Sequence, residues 1–315
     1  MRLLLTLLIC LPLISSEKIN LSIEPLQPIT KNKSLNTKKI LLGKKLFFDK
    51  RFSKDNSISC ASCHIIKKAG VDNLKSSIGV EGKKALMNTP TVLNSSSNFV
   101  QFWDGRAKSL EDQIDGPIHN TVEMNTNWID IIKKLKKDIF YRKVFKEIYH
   151  EELNKPNIKN AIVEYEKSLI TPSRFDRYLL GDNTAISQKE KKGYALFKSY
   201  GCTSCHQGKN IGGNIYQKLG VFKQYFQKEN TQNLGRYNIL KTENSKHVFK
   251  VPSLRNIALT YPYLHDGSIK TLEAVIQLMA TYQLGREIPK EDILKIEAFL
   301  NSLTWEKLEK SSNEN

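Results

Sequence analysis

Cysteine, methionine and acidic side chains are scarce in this 315-residue chain. Five cysteines make no disulfide scaffold: Cys10 stands alone near the start, and the other four form two C-x-x-C pairs, leaving no thiol over for a bridge. Beyond residue 16 no apolar run is long enough to cross a bilayer, and no alternation of apolar and polar residues argues for strands. A bundle of membrane helices and an all-β architecture are therefore not expected. Asp and Glu number 32 against 49 Lys and Arg, so the chain carries +17, mostly as lysines scattered along its length. Nucleic-acid binding needs such charge gathered into one patch, which the sequence does not offer, so no nucleic acid is expected. Scattered lysines read as a solvated surface, or as a field that steers a neutral or acidic partner in a salt-dependent way.

The first sixteen residues, MRLLLTLLICLPLISS, combine a basic start, a short apolar core and the small Ser15 and Ser16 at a plausible cleavage point. They read as a secretory leader, 1–16, that delivers a protein without stable membrane insertion to the periplasm. Lipid attachment at Cys10 fits poorly, because Ile9 stands where a small residue is wanted.

Cys60-Ala61-Ser62-Cys63-His64 recurs 142 positions later as Cys202-Thr203-Ser204-Cys205-His206. In each copy two thiols three positions apart can form thioethers to both vinyl groups of a haem, and the next residue aims an imidazole at the iron. A dithiol redox site has no need of that His, and compact zinc sites rarely place their Cys pairs so far apart. Two covalently bound haem c groups are expected. Function then turns on the sixth iron position: a filled site transfers electrons, an open one binds a small ligand. Met279, on an apolar helix downstream of the second motif, is a candidate thioether ligand; core packing is the competing role. Met87, Met124, His119, His150, His247 and His265 are the other residues of those two types past Met1 and the two motif histidines.

Residues 17–36, with Pro25 and Pro28, read as an irregular arm. Helical spacing follows over Thr37–Phe48, Asn127–Lys137, Phe140–His150, Asn157–Ile170, Thr271–Leu284 and Pro289–Leu303, and Ser187 to Glu190 form a capping box opening another helix. A helix before each C-x-x-C-H is a weak internal repeat. The class expected is all-α, as two cytochrome c-like domains with one haem each, 37–175 and 176–306. The stretch 207–247, rich in Gly, Asn and Gln, is expected to loop over the second haem, and a disordered tail is expected at 307–315.

The segments QFWDGRAKSLEDQIDGPIHNTVEM, VPSLRNIALTYPYLHDG and MATYQLG, together with SCASCH, resemble the bacterial di-haem cytochrome c peroxidases over approximately 38–304. The resemblance implies reduction of hydrogen peroxide to water, with electrons from a small periplasmic c-type cytochrome or cupredoxin, and it leaves room for a homodimer. It implies that His64 holds a low-potential peroxidatic haem with Gln113 and Glu123 on its distal side. It places a high-potential electron-accepting haem on His206 and Met279, Trp103 between the haems as a relay, and His265 in a supporting position. It implies a calcium site at Asn88, Thr260 and Pro262. The position that often supplies a removable distal His is Val80 here, and an apolar side chain cannot ligate iron. A plain two-haem carrier and a protein-modifying oxidase resembling MauG, with a Tyr ligand such as Tyr282, are the competing functions.

Overall fold

The computed structural model describes residues 19–32, 34–226 and 234–308. The expected leader and Cys10 lie outside the described residues. Helices dominate: α1 (Thr37–Phe47), α2 (Cys60–Cys63), α3 (Leu110–His119), α4 (Trp128–Lys136), α5 (Ile139–Tyr149), α6 (Lys155–Ser168), α7 (Arg174–Leu179), α8 (Gln188–Ser199), α9 (Tyr237–Leu240), α10 (Leu272–Gln283) and α11 (Lys290–Asn301). Side-chain caps start them where the sequence supplies acceptors: Asn36 takes the Lys39 amide, Asn127 that of Asp130, and Ser187 and Glu190 cap each other reciprocally. Pro289 is the cap residue of α11, with extended ψ, and not part of its first turn.

The all-α expectation needs one correction. β1 (Tyr216–Lys218) and β2 (Val248–Lys250) pair antiparallel, with Tyr216 opposite Lys250. Strands of three residues are too short for alternation to register in a sequence.

Two apolar cores organise the chain. The first gathers Leu46 and Phe47 of α1, Ile118 of α3, Phe145 of α5 and Ile158 and Ala161 of α6; the second gathers Phe175 of α7, Tyr194 and Phe197 of α8, Ile276 of α10 and Phe299 of α11. The same crossing holds both. α1 lies along α6 and α8 along α11. At each crossing a glycine lets the backbones touch: a Cβ on Gly43 would collide with the Ala161 carbonyl, and one on Gly193 with the Lys295 carbonyl. The aromatic neighbours Tyr165 and Phe299 close the two contacts alike.

The ends of the chain depart from the expected partition. Leu26 of the arm is fully buried in the second core, and the arm is tied down where Gly208 N–H donates to the Pro25 carbonyl (2.8 Å) and Ile29 N–H to Asp176 (2.8 Å). Asp176 in turn holds the buried Arg255 at 2.8 Å. Leu308 is buried in the first core, so disorder does not begin at Lys307; residues 309–315 lie outside the described residues. Apolar side chains isolated among polar neighbours, as Leu308 is, carry no periodic signal.

Candidate active site

The two C-x-x-C-H motifs fold alike. In each, the His amide donates to the carbonyl of the first Cys at 3.0 Å, one tight turn that gathers two thiols and an imidazole. His64 Nδ1 lies 3.2 Å from the Gly70 carbonyl and His206 Nδ1 3.4 Å from that of Ile211. With Nδ1–H donating there, Nε2 keeps its lone pair for a metal. Burial lowers both imidazole pKa values, that of His206 to about 4, so both rings are neutral at physiological pH. Burial also pushes the thiols up, Cys60 to about 12 and Cys63 and Cys202 to about 11. Burial outweighs the hydrogen bonds at these thiols and disfavours the thiolates that a zinc or dithiol site uses.

A cavity of about 360 Å³ opens beside the first motif, and Cys60, Cys63 and His64 share its wall with Phe47, Phe52, Ile114 and Ile162. A second, of about 230 Å³, is lined by Cys202, Cys205, His206 and Met279. The first wall also holds two buried polar atoms with no partner among the described residues, Ser95 Oγ and Glu166 Oε2. Apolar walls, two thiols, a pinned imidazole and orphaned polar atoms are what a covalently held haem fits.

Gln113, on α3, and Glu123, on the turn after it, line the first cavity. Asn120, which the sequence did not single out, donates from Nδ2 to Glu123 Oε1 at 2.6 Å. Burial raises the Glu123 pKa above its ordinary range, against the opposing pull of the Asn120 bond and of the Arg106 charge. Arg106 was missed as well; it lies 3.5 Å from the centre of the Phe102 ring and pairs with Asp104. Both stand within the stretch that carries the resemblance, but an Asn three residues before an acid gives no separate signal.

Val80 is fully buried and is not among the residues of the first cavity wall, whereas its neighbour Gly79 is. His119 is exposed at the end of α3 and outside that wall, so it brings no imidazole to the distal side in this arrangement.

Met279 and His206 line the same second cavity. Tyr282 does not; its ring packs against Tyr225 at 5.2 Å. Trp103 lines both cavities. Its Nε1–H donates to the Asn88 carbonyl at 2.9 Å, and its own carbonyl accepts from Lys250 N–H at 2.7 Å. His265 is buried beside it, with ring centres 6.4 Å apart, and its carbonyl accepts from Asn88 N–H at 2.9 Å. Burial lowers the His265 pKa to about 4. Asn88, Thr260 and Pro262 share the second cavity wall.

A profile of the di-haem cytochrome c peroxidase family matches residues 37–184. The cytochrome c551 peroxidase of Nitrosomonas europaea is 47% identical over 283 residues, 89% of this chain and 84% of that protein. The chain belongs to the di-haem cytochrome c peroxidase family. Cytochrome c peroxidase Ccp of Escherichia coli is 46% identical over 283 residues, and there the match spans 89% of this chain but only 61% of the longer relative. Among solved structures, a MauG-like protein associated with microbial copper homeostasis superposes with a TM-score of 0.78 at 26% identity, over 90% of this chain and 94% of that one.

Proposed function

We infer that the protein reduces hydrogen peroxide to water, each turnover consuming two electrons and two protons, at the first of two haem c sites. The observation that carries this reading is one wall: Cys60, Cys63, His64, Gln113 and Glu123 all face a single cavity. The bound haem supplies the metal that holds peroxide and passes it electrons. The chain's own residues do the rest. Glu123 Oε takes a proton from the near oxygen of peroxide and returns it to the departing one, as a carboxylic group within hydrogen-bond reach can. Its buried position, raising its pKa, suits it to hold a proton between the two events. Asn120 Nδ2–H fixes one Glu123 oxygen, leaving the other for substrate. Gln113 donates to or accepts from peroxide without exchanging the proton itself.

His206 and Met279 would hold the second haem, where a thioether would favour the reduced iron and so suit that site to accept electrons, and Trp103, on the wall of both cavities, would stand as the relay to the first. The donor is a small cytochrome or cupredoxin of the periplasm, drawn by the positive field. Among the described residues no helix is long and apolar enough to cross a membrane. Asn88, Thr260 and Pro262 would hold calcium through their oxygens; because the Asn88 carbonyl accepts from the Trp103 indole, an ion there would steady the relay. Tyr282, packed on Tyr225 and away from the second cavity, speaks against a Tyr-ligated haem.

Anaerobic reduction of the haems one at a time, followed by peroxide, tests the reading. A peroxidase consumes peroxide and re-oxidises both haems. Two low-spin haems that stay reduced identify a carrier and sink the proposal.

A further inference from the structure

Lys250 is a buried cation with no anion beside it among the described residues. It closes β2 at 7% exposure on the wall of the second cavity, and among the described residues no carboxylate pairs with it. The contrast is Arg255, 1% exposed, whose guanidinium is met by both oxygens of Asp176. Buried charges are kept where something pairs with them, because desolvation otherwise drives them neutral. Burial pulls the Lys250 ammonium down to about 8, still charged below neutral pH.

The backbone of Lys250 is fixed in place. Its backbone N–H is held by the Trp103 carbonyl at 2.7 Å, and β2 is clamped to β1 with Lys250 opposite Tyr216. The residue is set between the indole that touches both cavities and the cavity of His206 and Met279. Phe249 and His265, packed on each other at 4.2 Å, are neutral neighbours on the same wall.

We infer that Lys250 is the fixed counter-charge for a propionate of the second haem, and that it raises that haem's reduction potential. The inference rests on reading this cavity as a covalent haem site. The haem brings carboxylates that its thioethers and iron ligands leave unpaired, and of the two lysines on the cavity wall Lys218 is exposed, while Lys250 is the buried one, with no carboxylate partner among the described residues. Reduction adds an electron beside that ammonium, and a neutralised propionate no longer opposes the addition. Lys250 is a positioning residue: it acts through the haem and touches no peroxide.

The test uses the holoprotein with Lys250→Gln, Lys250→Met and Lys250→Arg. Haem content is measured first, by pyridine haemochrome; fewer than two haems per wild-type chain would defeat the cavity reading itself, apart from any role of Lys250. With two haems present, spectroelectrochemical titration below neutral pH should show the second haem at least tenfold harder to reduce in the Gln and Met variants, 59 mV for one electron. The Arg variant should stay within threefold of wild type. Neutral variants that titrate with wild type, both haems attached, overturn the inference. So does a wild-type potential that follows added phosphate and loses this response in Lys250→Gln, since the ammonium then serves a diffusible anion. Should the neutral variants not accumulate, resonance Raman on the wild type decides: a propionate bending band at the salt-bridged position is expected, and one at the solvated position is fatal.

Discussion

The backbone N–H of Val80 donates to the carbonyl of Glu123 at 2.9 Å, so the residue standing where an iron-binding His often occurs is stitched to the acid of the first cavity. The stitch is tight, since a Cβ on Gly79 would collide with the Val122 carbonyl. Ion pairs from Lys54 and Lys83 to Glu81 hold the outer side of this loop. The first haem should therefore be open already when oxidised: high-spin by electron paramagnetic resonance, and reactive with peroxide before any reduction. Val80→His should introduce a low-spin population and a lag that prior reduction removes. An oxidised wild type that is low-spin at both haems and inert to peroxide would end this account.

Glu123→Gln should leave both haem spectra in place and lower peroxide turnover by roughly 10²-fold, the usual loss for a positioned proton-transfer group. Asn120→Ala removes the 2.6 Å bond that orients Glu123 but not the acid itself, so its loss should be smaller, about tenfold. Steady-state turnover with haem content held equal checks both. Equal losses for the two variants would mean that Asn120 does more than orient.

Much of this was legible because it is local. Cap residues and 3.6-residue spacing locate α1, α4 to α6, α8, α10 and α11 to within a few residues at most ends, and each C-x-x-C-H carries its turn in five residues. Three helices escaped. Pro117 lies inside α3, where an internal proline argues for a break, α7 spans only six residues beside Pro172, and α9 is four residues within the stretch expected to loop. At the site, Gln113 and Glu123 became visible through the motif around them. Lys250 and Glu166 did not, because in a lysine-rich and helical sequence nothing local marks a charge as buried; that depends on which distant segments cover it. The crossing glycines were equally silent, each meeting a carbonyl about a hundred residues away.

Those crossings make a stability prediction. Gly193→Ala places a methyl into the Lys295 carbonyl, and neither helix can yield without opening the second core around Phe299. Overpacking of this kind costs about 1–3 kcal/mol, and backbone against backbone belongs at the upper end. Thermal unfolding of the holoprotein should show the Tm depressed by several degrees, and Gly43→Ala should do the same through Ala161. An unchanged Tm in either variant would mean that the helices part easily.

The last prediction concerns pH. Glu166 on α6 is 5% exposed, faces the first cavity, and among the described residues its Oε2 has no partner. Burial, then the nearby Glu111 charge, raises its pKa to about 8 from the ordinary 4.5. Between these two values the folded protein holds a proton that the unfolded chain has released. The stability that Glu166 contributes is therefore complete below about 4.5 and is lost as pH climbs toward 8, at roughly 1.4 kcal/mol per pH unit at most while the difference lasts. Glu166→Gln keeps the shape and cannot ionise, so its Tm should fall less between pH 5 and pH 8 than that of wild type. Both proteins need equal haem content for the comparison, because Glu166 also raises the Cys60 pKa and so stands close to the attachment site. Parallel Tm profiles would show that Glu166 finds a charged partner once the haem is in place, and ionises like any surface carboxylate.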